Sequence, residues 1–234
     1  WDVQDNVAHI VGTEAMLLGI ETPAIEIDRD ALPHVQNDIG VFNEVWVQYL
    51  RTKQPNEVLS LFEEYTGQRL AALADVSISD WDAVSATPSG MDTYGRFMQI
   101  RVFDCWLHEQ DIRDAVAMPG HQTGLAVEVT LDEMTTALGF VVGKRAGAVD
   151  GQSVTFDLTD QGAVVRSVHV RVDGRAAVVD ALDHAPTATL TMPVWVMMRL
   201  CAGRMPLERV RSRIGTAGDV DLAERVLGAL NYTV

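Results

Sequence analysis

The hydrophobic periodicity of this chain changes once, and the change divides it into two folding problems. Upstream of residues 117–124 (AMPGHQTG), apolar residues recur at helical spacing. Val3, Val7, Ile10, Val11 and Leu17 follow Asp2, a fitting N-cap, and predict a helix over about 2–20. Pro33 opens a second, predicted over about 33–53, with Val35, Ile39, Phe42, Trp46, Tyr49 and Leu50 on one stripe. Pro55 opens a third, to about 74, and Asp92 caps a fourth over roughly 92–116. The stretch 76–90, ending in Thr87-Pro88-Ser89-Gly90, reads as an irregular loop. Helices joined by modest loops predict a bundle.

Downstream the pattern differs. One more helix is expected over about 125–145, and then alternation takes over. The runs 153–158 (SVTFDL), 164–172 (VVRSVHVRV), 176–182 and 187–192 read as strands. Asp160-Gln161-Gly162 and Asp173-Gly174 are hairpin signals between them. Helices over about 193–202 and 219–230 close the chain. The expected architecture is an all-α domain over 1–118 followed by a small α+β domain over 124–234 with a mainly antiparallel sheet.

Composition removes several classes of function. The 234 residues carry 18 Lys+Arg against 33 Asp+Glu, a net charge of −15, which argues against a nucleic-acid or anionic-membrane binder. Two cysteines make no disulfide framework and suit a reducing cytosol. No apolar run approaches the roughly 18 residues of a membrane span. Walker, G-x-G-x-x-G and G-x-S-x-G motifs do not occur, so nucleotide and serine-hydrolase chemistry lack support.

The stretch RVFDCWLHEQDIR, residues 101–113, carries the chemistry. Asp104 and His108 stand four residues apart, so in a helix both side chains leave the same face. His9 lies in DNVAHIVG beside the apolar stripe of the first helix, which aims its ring at the bundle interior. Two imidazoles and one carboxylate from facing helices make a three-ligand centre with an open position, the arrangement of a catalytic zinc. The bland alternative is a buried hydrogen-bonded polar cluster, to which a D-x-x-x-H pair belongs more often than to a metal. Asp111 is either a solvated charge or a carboxylate orienting a ligand histidine. Cys105 and Cys201 read as small core residues, and the five tryptophans as packing anchors.

Three segments together resemble a known family. WDVQDNVAHIVGTE is similar to the helix of DinB-like bundles that carries the first metal histidine, matched by His9. RVFDCWLHEQDIRDA is similar to the later helix, with Asp104 and His108 matching the carboxylate and second histidine. TATLTMPVWVMMRLCAGR and GDVDLAERVLGALN resemble a sterol-carrier-protein-like C-terminal domain. The combination resembles the mycothiol-dependent maleylpyruvate isomerases of actinobacteria. That resemblance implies a four-helix bundle whose first helix lies upstream of Trp1, and a divalent metal, usually zinc, on His9, Asp104 and His108. It implies mycothiol as thiol cosubstrate, a small electrophilic substrate, and isomerase or S-transferase activity in the cytoplasm. Asp104 stands where the founding isomerase type has glutamate, a carboxylate one methylene longer. The family also places an arginine of the C-terminal domain on its anionic substrate; Arg199, Arg204, Arg211 and Arg213 are candidates, and Arg204 is chosen for bidentate carboxylate recognition. A non-catalytic module carrying an apolar ligand near Met192, Trp195, Met197, Met198 and Met205 is the alternative reading.

Overall fold

The computed structural model describes residues 1–233 and divides into two compact units, Trp1–His121 and Gln122–Val234. The first is built on α1 (Val3–Leu17), α2 (Asp38–Arg51), α3 (Pro55–Ala74) and α5 (Tyr94–Ala115), with a short α4 (Ile78–Trp81) and a hairpin of β1 (Val84–Thr87) and β2 (Gly90–Thr93) between the last two. Helix α1 is central and packs against α2, α3 and α5. Its start is fixed twice. Asp2 and Asp5 form a reciprocal capping box, and Arg51 at the end of α2 grips Asp5 through two bonds of 2.7 Å. Ala8, Val11 and Ala15 of α1 meet Trp46, Val47 and Leu50 of α2 and Val58 of α3 in the core. Among the described residues no helix is long and apolar enough to cross a membrane.

Local chemistry moves several expected boundaries. The second helix begins at Asp38 rather than near Pro33, because the Asn37 side chain accepts from Gly40 N and supplies the cap. The fourth is capped by Thr93 rather than Asp92. The stretch expected as an irregular loop holds α4 and the β1–β2 hairpin.

Gly12 of α1 lies directly against the Trp46 side chain of α2. A Cβ on it would lie 2.4 Å from Trp46 Cγ, and Trp46 is buried among the helices. Gly12→Ala is therefore expected to destabilise the unit by about 1–3 kcal/mol in urea unfolding, overpacking outweighing the gain in helix propensity. A stabilised variant would contradict this packing.

The second unit opens with α6 (Leu125–Thr136), a single turn α7 (Leu138–Phe140) and a π-helical turn over Val141–Arg145. The continuous helix expected over 125–145 is broken. Gly139 and Gly143 sit against Ala176, where an added Cβ would come within 2.9 Å and 2.6 Å of its atoms. Then follow β3 (Ser153–Asp160), β4 (Ala163–Asp173), β5 (Arg175–Val179), β6 (Ala188–Pro193), α8 (Val194–Cys201), α9 (Leu207–Val210), β7 (Gly215–Gly218) and α10 (Val220–Ala229). The sheet order is β5-β4-β3-β6-β7, antiparallel except for the β3–β6 pair. Register explains its buried face: Val154, Phe156 and Leu158 align with Ala188, Leu190 and Met192, all buried, while Asp157, Thr189 and Thr191 between them are more exposed. Met197 and Met198 are fully buried core, as is Met192.

Candidate metal centre

Helices α1 and α5 bring His9, Asp104 and His108 together. Each offers one ligand atom, and these atoms lie within 4.8 Å of one another. His9 Nε2 is 3.1 Å from Asp104 Oδ2, and His108 Nε2 is 3.5 Å from Asp104 Oδ1, so each carboxylate oxygen faces one imidazole. The imidazole rings meet edge to face at 4.6 Å. Trp1 lies against both, with ring centroids 5.4 Å and 5.7 Å away. Its indole donates to Glu44 Oε1 at 2.7 Å, which also accepts from His34 Nε2 at 2.8 Å. Burial of Glu44 favours the acid, but these two donors outweigh it and hold the carboxyl below the usual range.

The hydrogen bonds around His108 define its tautomer. Asn6 Nδ2 donates to the backbone carbonyl of Asp2 at 2.7 Å, which turns Asn6 Oδ1 toward His108. His108 Nδ1–H must then be the donor in the 2.7 Å contact to Asn6 Oδ1, with Asp111 Oδ2 a further 3.6 Å neighbour. The lone pair of a neutral His108 thus points from Nε2 at an anionic oxygen. Two electron pairs facing each other across 3.5 Å call for a proton or a cation between them. His9 Nδ1 is buried without a hydrogen-bond partner, so in the ion-free centre its proton belongs on Nε2 toward Asp104; an ion on Nε2 would move that proton to Nδ1. The His108 geometry and the set of two imidazoles and one carboxylate fit a borderline divalent ion such as zinc.

Without an ion, protons fill this role. Burial disfavours charged His108, yet its bonds to Asp104 and Asp111 win and raise its pKa above 6.5. Burial likewise favours neutral Asp104, but His9, His108 and Arg101 together hold it well below 3.8. The raised His108 pKa gives stability that is complete below about pH 6.5 and disappears as pH rises through the folded value. In metal-free protein, the stability gap between wild type and His108→Gln should therefore be larger near pH 6 than near pH 8.5. Thermal unfolding at the two pH values checks this, and a gap that widens with pH would contradict it.

The other expected residues fall elsewhere. Burial pushes the Cys105 thiol up to about 11 and the Cys201 thiol up to about 12, so both behave as core residues rather than nucleophiles. Arg204 belongs to the second unit, where it is exposed after α8 and donates from Nη1 to the Ala202 carbonyl at 3.2 Å. Sequence reading missed Asn6, Glu14 and Arg101. For two of them helical spacing to a site residue was available, since Asn6 stands three residues before His9 and Arg101 three before Asp104.

Comparison with known proteins gives a family profile for the first unit and a shared fold. The family profile of the mycothiol maleylpyruvate isomerase N-terminal domain matches residues 1–113. The crystal structure of the mycothiol-dependent maleylpyruvate isomerase matches with a TM-score of 0.50 at 16% identity, covering 92% of this chain and 76% of that one. At this identity the match establishes a shared fold. Sterol Carrier Protein 2 from Yarrowia lipolytica, in its apo form, matches at 13% identity and TM-score 0.34, covering 44% of this chain and 88% of that one. No curated protein matches the chain.

Proposed function

We propose that the chain is a metal-dependent enzyme that uses mycothiol on a small electrophile, a reading supported by the match of residues 1–113 to the mycothiol maleylpyruvate isomerase N-terminal domain profile. The observation that carries this reading is the convergence of His9, Asp104 and His108 with paired lone pairs and no internal proton donor between His108 and Asp104. These three residues would hold the ion, with zinc the best match to two imidazoles and one carboxylate. A bound zinc would supply a lowered thiol pKa, so that mycothiol reacts as thiolate near neutral pH.

The protein's own groups support that chemistry. Asn6 and Asp111 hold His108 in the tautomer that presents Nε2 to the centre. Trp1 shields one side of the two imidazoles, and Glu44 holds Trp1 there. The thiolate forms a sulfur–carbon bond to an activated double bond, whose π pair moves to the adjoining electron-withdrawing group. Rotation about the resulting single bond, followed by loss of the thiolate, isomerises the substrate and returns mycothiol. Protonation of the adduct instead gives an S-conjugate. Arg204, an exposed guanidinium with a forked donor set, is the residue we assign to a carboxylate on the electrophile.

The test is thiol-dependent turnover by zinc-loaded protein against cis-unsaturated keto acids and other electrophiles. Proton NMR separates a trans isomer, with mycothiol unchanged, from an S-conjugate. Turnover that needs both mycothiol and metal, and falls at least tenfold in Arg204→Met, is expected. Equal turnover after chelation would refute the metal assignment.

A further inference from the structure

We propose that Arg101 is a positioning residue that sets which ion the centre accepts, by engaging one oxygen of Asp104 and leaving the other for the ion. This rests on the metal reading above and goes beyond it to selectivity. Arg101 stands one turn before Asp104 on α5 and donates from Nη1 to Asp104 Oδ2. Its Nη2 donates to Glu14 Oε1 of α1 at 2.5 Å. The other Glu14 oxygen accepts from Arg69 Nε of α3 at 3.3 Å, and Arg69 Nη2 donates onward to the Tyr94 hydroxyl at 2.8 Å. An ion-pair chain thus runs from α3 through α1 to α5 and ends on a candidate ligand.

Burial gives this chain its force. The side chains of Arg101, Arg69 and Glu14 are only 8%, 7% and 12% exposed. Water therefore screens the chain little and offers few alternative partners. Asp104 Oδ2 is tied to a fixed cation and also lies 3.1 Å from His9 Nε2, while Oδ1 faces His108 Nε2.

The consequence is chemical. Calcium, magnesium and manganese favour oxygen-rich shells, with carboxylates that often chelate through both oxygens. Zinc is content with four ligands, here two imidazoles, one carboxylate oxygen and a position for thiol. A guanidinium on Oδ2 opposes chelation and reduces the negative charge offered to the ion, and both effects disfavour the oxygen-seeking cations. Without Arg101, Asp104 regains a second oxygen and its full charge.

The experiment measures zinc and manganese affinities by competition with a chromophoric chelator, for wild type, Arg101→Met and Arg101→Lys. Arg101→Met is expected to weaken zinc by about 10–100-fold, as for other groups that orient a metal ligand, with manganese unchanged or tighter. The zinc-to-manganese ratio then falls at least tenfold. Arg101→Lys, whose ammonium still engages one oxygen, should keep most of the wild-type ratio. If Arg101→Met does not fold, Glu14→Gln carries the test, since it loosens the anchor of Arg101 and should lower the ratio by a smaller factor. Equal losses for both ions would mark Arg101 as structural scaffolding and overturn the proposal. Wild-type protein that binds neither ion would remove the metal reading, and this inference with it.

Discussion

Replacing Glu14 with leucine is expected to destabilise the N-terminal unit by about 3–5 kcal/mol, the cost typical of breaking a buried ion pair from one side. Glu14 pairs with Arg69 and is one of two carboxylates, with Asp104, that pair with Arg101, and both guanidiniums are buried. Leucine supplies the volume but leaves each arginine short of an acceptor. Tyr94 still takes one bond from Arg69 and Asp104 one from Arg101, so the unit loses stability without either cation being wholly stranded. Urea unfolding reads the loss directly, and glutamine at the same position should recover part of it. A loss below about 1 kcal/mol would mean that water screens this network as it does a surface pair.

Such a network is hard to see in a sequence. An arginine and a glutamate on amphipathic helices default to the solvated face, and nothing local marks Glu14 and Arg101 as partners across 87 positions. His9, Asp104 and His108 were legible for the opposite reason. An i,i+4 pair fixes a shared face, and the apolar neighbours of His9 turn it inward. Spacing still left metal and hydrogen-bonded cluster undecided; the Asn6 bonds that fix the His108 tautomer exist only in three dimensions.

The fold divides in the same way. The two patterns either side of 117–124 were readable because each period repeats over many residues. The β1–β2 hairpin was not, since its strands are four residues long and largely exposed, without a buried alternating face. Strand β7 (GTAG) has almost no side-chain signal, yet its small residues suit its place. A Cβ on Gly218, whose φ is +78°, would meet the Thr187 carbonyl at 2.3 Å.

The second large effect concerns the centre itself. Asp104→Ala removes the group that faces both imidazoles and should reduce zinc affinity by more than about 100-fold, beyond the loss typical of an orienting neighbour. It also removes an acceptor from buried Arg101, so metal-free protein should lose about 3 kcal/mol of stability. Asp104→Asn separates the two consequences: it keeps an acceptor oxygen for Arg101 but lacks the charge that holds a dication. Zinc loss with moderate stability in Asp104→Asn is the expected pattern. Retained zinc affinity in both variants would exclude Asp104 as a ligand.

The most direct measurement is elemental analysis of protein purified without a polyhistidine tag, wild type beside His9→Ala. The centre described here predicts about one zinc per wild-type chain, with little retained by the variant once both have been dialysed against a weak chelator. Wild-type protein that holds no metal after exposure to zinc would contradict it and leave His9, Asp104 and His108 as a hydrogen-bonded core cluster.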